Sequence, residues 1–240
     1  MQKFAAMGIA LLLAGCAAGS GGGLNDRERY DRVMGNPVAN PSAIVQAELA
    51  FARLAQEEGQ WTAFRETAAD DAIMFTPELV NAQQWLKDKA DPAQAVTWQP
   101  HHIYMSCDGS MAVSTGAWQN AKGETGRFTT IWQQQDFGQR RPNRKVEWKW
   151  VFDDGDALDK PLAEPDYVET DVASCKAKIP MNSVPTGLTD KGMTAASPDR
   201  SLVWHAAFRE NGSRIVYADL AQDDGSFKRV HEYTVPAPGK

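Results

Sequence analysis

Two pairs of neighbouring ionisable residues, His101-His102 and Asp153-Asp154, are the first places in this 240-residue sequence where chemistry could sit. Imidazole changes charge near neutral pH, and a carboxylate shielded from water can act as a general base. Neighbours on a strand point to opposite faces, so His101 and His102 cannot easily hold one metal ion. His205 and His231 lie far downstream, and no Cys or carboxylate spacing completes a zinc set. The acidic segment 153–171 lacks the periodic ligands of a calcium loop. No metal site and no cofactor is expected. A Gly-Xaa-Ser-Xaa-Gly elbow, a phosphate loop and a dinucleotide fingerprint are all missing. His102 and Asp154 therefore stand as the candidate bases. The plainer reading makes His102 a hydrogen-bonded structural residue and Asp153-Asp154-Gly155 the turn that ends a strand.

Aromatic residues are the other candidate. Eight tryptophans can line an apolar pocket with a few polar tips. Strand alternation places Val146, Trp148, Trp150 and Phe152 on one face, with Lys145, Glu147 and Lys149 on the other. Phe128, Thr130 and Trp132 share a face, as do Trp98, Pro100, His102 and Tyr104. Trp118 continues the small residues Ala112, Ser114 and Gly116, which would leave room inside. The predicted pocket is thus Trp98, His102, Tyr104, Trp118, Thr130, Trp132, Trp148 and Trp150, with Asp154 continuing the Trp150 face. The competing reading is that these aromatics simply pack as core.

The elements that position them can be read along the chain. Asn40-Pro41 is an N-cap followed by a first-turn proline. Ile44, Ala47, Phe51 and Leu54 recur at helical spacing up to Gly59, a fitting stop. A second helix follows over Trp61 to Ala68, then a short strand over Asp70 to Phe75, then a helix capped by Asn81. After Pro92 strands take over: Val96 to Met105, Ser110 to Gln119, Gly126 to Gln134 and Lys145 to Asp153, with Asp108-Gly109 as a hairpin turn. Residues 156–200 read as an extended connection rich in Asp, Pro, Ser and Thr. Asn211-Gly212 and Asp224-Gly225 then punctuate a three-stranded meander within 201–240. The expected class is α+β: helices packed on a curved antiparallel sheet, followed by this extra C-terminal meander.

Residues 41–155, and most specifically about 43 to 155, resemble the nuclear transport factor 2-like superfamily of cone-shaped domains, which includes polyketide cyclases and ketosteroid isomerase. The resemblance rests on Ala47 to Ala52, Gly59 to Phe64, Asp70 to Phe75, Phe128 to Trp132 and Trp148 to Asp153. It implies an apolar pocket between helices and sheet, and it makes a homodimer plausible. The polar outer row Lys145, Glu147 and Lys149 argues against a large apolar interface there.

The N-terminus carries an address. Lys3 precedes an apolar stretch from Phe4 to Ala14, too short for a mature membrane span. Leu13-Ala14-Gly15-Cys16 resembles the lipobox of bacterial lipoproteins, which implies removal of residues 1–15 and acylation of Cys16. Residues 16–40 then form a flexible tether. Ala17 in place of Asp favours the outer membrane, facing the periplasm. Cys107 and Cys175 are left in an oxidising compartment, and a bridge between them is expected.

Composition sets the outer bounds. A chain 42% hydrophobic and 23% charged is globular. Its 31 acidic against 25 basic residues, a net charge of −6, argue against a nucleic-acid partner. The expected function is a membrane-tethered module that binds an apolar small molecule or a protein partner without catalysis. The alternative is an isomerase, dehydratase or cyclase with His102 or Asp154 as base.

Overall fold

Pro41 starts the first helix, as its fixed backbone suits the first turn. The computed structural model describes residues 39–136, 146–180 and 183–237, without the side chains of Asp136 and Val146. The expected signal segment 1–15, Cys16 and nearly all of the expected tether lie outside the described residues. Helix α1 (Pro41–Glu58) buries Ile44, Glu48, Phe51 and Ala55 on one stripe. Asn40 provides no side-chain cap; its carbonyl accepts from the Ala43 amide at 3.0 Å. Gly59 (φ 111°) ends α1 and directly starts α2 (Gln60–Thr67). A side chain at Gly59 would strike the Asp91 carboxylate, which accepts the Thr62 amide (3.0 Å) and hydroxyl (2.7 Å) and so caps α2 from a distance.

Strand β1 (Ala68–Phe75), the short β2 (Leu79–Asn81) and helix α3 (Ala82–Leu86) follow. The Asn81 side chain caps α3 by accepting the Gln84 amide at 2.9 Å. Then come β3 (Thr97–Met105), β4 (Met111–Gln119), β5 (Thr125–Asp136), β6 (Val146–Leu158) and β7 (Glu169–Val172). They form a seven-stranded sheet in the order β2-β1-β6-β5-β4-β3-β7. The meander β3–β6 is antiparallel, but β1 joins β6 and β7 joins β3 in parallel, so the sheet is mixed. The remaining strands are β8 (Gly187–Leu188), β9 (Gly192–Ala196), β10 (Leu202–Phe208), β11 (Arg214–Ala221) and β12 (Phe227–Val235). They make a second sheet of five strands in sequence order.

Three layers result: helices, first sheet, second sheet. Phe51 packs on Trp132 on the helix side, while Phe152 packs on Trp204 between the sheets. Residues 156–200 form more than the extended connection expected of them. They complete β6 and supply β7, β8 and β9, so the expected three-stranded meander is a five-stranded sheet. The segment lacks apolar periodicity because its strands are short edge or near-edge pieces, held by backbone pairing more than by buried side chains.

The two sheets are pinned at one end. Cys107 and Cys175 are disulfide-bonded, Cα to Cα 5.2 Å. Beside the bridge, the β3–β4 and β9–β10 turns dock reciprocally. The Asp108 amide donates to Asp199 Oδ2 at 2.9 Å, and the Asp199 amide donates to Asp108 Oδ2 at 3.2 Å. Each aspartate also gathers two serine hydroxyls of its own turn. The bridge closes a 68-residue separation, for which chain entropy gives roughly 4 kcal/mol before strain. Cys175→Ser is expected to lower unfolding stability by about 2–4 kcal/mol, read from urea titration against the natural chain. An equal midpoint would show that the docked turns alone hold this end together.

Candidate functional site

Two one-residue bulges decide which side chains meet. In β6, Trp150 opposes Trp132 and Phe152 opposes Ile131, so Val151 is an extra residue. The alternation therefore flips after Trp150. Trp150 faces the helices and Phe152 the second sheet; beyond them Asp153 faces the helix side and Asp154 the other. In β3, Pro100 opposes Gly116 and His102 opposes Thr115, so His101 is extra. Pro100 has no amide to offer a regular ladder. Gly116 fits because a Cβ there would collide with the Gln99 carbonyl and the His101 amide. Trp98 consequently stays on the helix side, while His102 and Tyr104 turn to the opposite face.

A cleft of about 320 Å³ lies between the helices and the first sheet. From the helices come Phe51, Trp61 and Phe64; from the sheet come Phe75, Trp98, Trp118 and Phe128. The rings brace one another edge to face: Phe51 to Trp98 and Phe51 to Phe64 are each 4.8 Å between centroids. Trp118 is fixed by its indole N–H donating to the Arg127 carbonyl at 3.0 Å, and it rests on Gly126, where a Cβ would strike it. Thr130 and Asp153 line the same cleft, the Thr130 hydroxyl donating to Asp153 Oδ2 at 2.7 Å.

Under the cleft, Glu48 of α1 is fully buried. Its carboxylate accepts the indole N–H of Trp98 (3.0 Å), that of Trp132 (2.8 Å) and the Ser114 hydroxyl. Burial pushes its pKa up, against the pull of these three donors. Burial also raises Asp153, to about 7, helped by the nearby charges of Asp154 and Glu48 and opposed by Thr130.

Among the residues expected in the pocket, Trp98, Trp118 and Thr130 line the cleft. Trp132 and Trp150 are buried packing residues; the Trp150 indole donates to Thr67 Oγ1 at 3.0 Å. Trp148 packs on the core outside the cleft. His102 is removed from it, stacked on Tyr104 at 4.1 Å with Asp171 (2.8 Å) and Glu169 (3.2 Å) at its two nitrogens. Asp154 is likewise not the cleft acid. Its carboxylate takes Arg214 Nε at 3.0 Å and the Tyr233 hydroxyl between the sheets, and burial still lifts it to about 6. His102 thus lies away from the cleft, and Asp154 borders it with a carboxylate turned to Arg214 and Tyr233, so neither is placed as its base. His231, from the tail, is half-buried between the sheets against Thr129 (2.8 Å), and desolvation lowers it to about 4.

Glu48 and Asp153 were missed for different reasons. Glu48 does carry a signal: a charge in the apolar row Ile44, Phe51, Ala55 demands buried partners. Asp153 carries none, since strict alternation sends it outward. Among the described residues, no group of three or more His, Cys, Asp or Glu could hold a metal ion, and no helix is long and apolar enough to cross a membrane.

The chain matches no known protein-family profile and no curated protein sequence. Among solved structures it is similar to a Novosphingobium aromaticivorans protein proposed to be an aromatic ring hydroxylase. That similarity has 12% identity and a TM-score of 0.34, over 51% of this chain and 91% of that one.

The raised pKa of Asp153 has a measurable consequence. Between the ordinary carboxylate range and about 7, the folded chain keeps a proton that the unfolded chain has released. Stability from this group therefore falls as pH rises through that window. His231 acts oppositely between about 4 and its ordinary value, because only the unfolded chain is protonated there. Comparing Asp153→Asn with the natural chain cancels the histidine contribution. The variant's relative stability is expected to climb from about pH 4 to about pH 7 and then level off, in paired denaturant titrations. A difference independent of pH would contradict the assignment.

Proposed function

We propose that this chain is a lipid-anchored protein of the bacterial envelope whose cone-like folded part binds a small apolar molecule without transforming it. The observation that carries the reading is the aromatic cleft of about 320 Å³ with a carboxyl group on its wall. That volume is at the small end of the ~300–1,000 Å³ typical of ligand sites, and convergent apolar walls with few polar groups are their usual build. The lipobox-like Leu13 to Cys16 supports the anchor, with acylated Cys16 in the outer membrane and the folded part in the periplasm.

Asp153 favours a second reading, proton transfer by an isomerase, dehydratase or cyclase. A carboxyl group with pKa near 7 is matched to taking and returning a proton at neutral pH. In that case Asp153 would be the general base.

Trp61, Trp98 and Trp118 line the cleft, so an occupying ligand should change tryptophan emission. Native mass spectrometry of the gently purified protein is expected to find a small molecule that denaturation releases. Val96→Trp, at the half-exposed rim, should block its retention. Retention unchanged by Val96→Trp would put the ligand elsewhere, and consumption of the ligand by the protein would favour the enzymatic reading. Separately, radiolabelled palmitate is expected to label the natural chain in bacteria and to leave Cys16→Ser unlabelled. Equal labelling of both would rule out the anchor.

A further inference from the structure

The cleft has a sign as well as a shape. Among the described residues, no Lys, Arg or His lines it. Asp153 presents one oxygen, Oδ2, to Thr130, and its Oδ1 has no hydrogen-bond partner among the described residues. The other polar side chains at the wall are largely committed. Gln60 Oε1 accepts the Val96 amide at 3.1 Å, and Asn120 is tied into its own turn with Lys122 and Glu124. The donors left over, Gln60 Nε2 and the Trp61 indole, are neutral. The ionisable groups nearby are mostly acidic as well. Glu48 lies beneath Trp98, and behind the sheet the Arg214 guanidinium is engaged by Asp154 at 3.0 Å and Asp156 at 3.8 Å.

Aromatic faces attract cations through their ring quadrupole, most strongly where water is excluded. A free carboxylate oxygen adds a charge-assisted acceptor. A wall of Phe and Trp with one such oxygen and no cation suits a positively charged organic group. An anionic ligand would meet Asp153 with nothing to balance it.

We propose that the ligand of this cleft is a small organic amine, its ammonium group donating to Asp153 Oδ1 and its apolar body packed among Phe51, Phe64, Trp98, Trp118 and Phe128. This rests on the cleft being a ligand site, as argued above. An ammonium beside Asp153 holds the carboxyl ionised, so the amine balances the charge that burial otherwise disfavours. Thr130 steadies the carboxylate from its other oxygen.

The test is a matched set of ligands of nearly one shape: 2-phenylethylamine, 2-phenylethanol and 3-phenylpropanoate. Each is titrated at pH 8 into the intact natural protein and read by calorimetry and tryptophan emission. The amine is expected to bind about tenfold or more tighter than the alcohol, the scale of one charge-assisted hydrogen bond, with the carboxylate weakest. Asp153→Asn should bring amine and alcohol within about twofold while leaving alcohol binding in place. Equal binding of amine and alcohol to the natural chain, or tighter binding of the carboxylate, overturns the amine assignment while keeping the cleft as a ligand site. No binding of any of the three defeats both readings. The three ligands are compared on the natural chain, so the outcome does not depend on the variant folding.

Discussion

One extra residue in a strand governs the chemistry of this molecule. Val151 has no partner across from it in β5, and everything beyond it in β6 is turned over. Without the bulge, the Asp154 carboxylate would point into the cleft that its backbone borders, and the Asp153 carboxylate would face the second sheet. Asp154 would then lose Arg214 and Tyr233, and Arg214 would stand half-paired in a largely buried position. Removing one partner from a buried pair costs several kcal/mol, typically ~3–5. The bulge thus serves two sites at once: a balanced ion pair between the sheets and a carboxyl with a free oxygen in the cleft.

The second bulge acts in the same way at the opposite side of the meander. It keeps Trp98 with the helices and turns His102 and Tyr104 away, beside β7. Between the bulges, Glu48 ties the helix layer to the sheet through two indoles and a hydroxyl. An apolar residue there would leave the Trp98 indole without an acceptor, the Trp132 indole with only Ser114 Oγ at 3.2 Å and the Ser114 hydroxyl with only the Thr130 carbonyl at 3.5 Å, which is costly in a dry interior. The aromatic wall is therefore held by hydrogen bonds at its back and by ring contacts at its front. Its cleft-facing surfaces remain apolar as a result.

Buried charge is concentrated where the layers meet. Glu48 lies between helices and first sheet, and the Asp154–Arg214 pair with Tyr233 lies between the two sheets. The disulfide and the reciprocal aspartate turns close one end of the sheet pair. The edge strands β2, β7 and β8 are short, whereas the nine-residue edge strand β12 pairs with β11 along its length.

Much of the element order was legible because it rests on local signals. Pro41, Gly59 and Asn81 mark helix boundaries through backbone geometry, and Asp108-Gly109, Asn211-Gly212 and Asp224-Gly225 mark turns. The pair Cys107 and Cys175 was legible by chemistry. Strands β7 to β9 were not legible, because strands of two to five residues, exposed in β7 and β8 and half-buried in β9, carry no apolar period. The face of Asp153, of His102 and of Asp154 was not legible either. A bulge is a property of two strands paired together, and no single strand's alternation contains it. The sequence by itself determined the α+β class, the aromatic supply of the core and the turn positions, since each depends on residues near one another in the chain. Only the tertiary structure decided which acid reaches the cleft and which is neutralised, because that choice is made by register between distant strands.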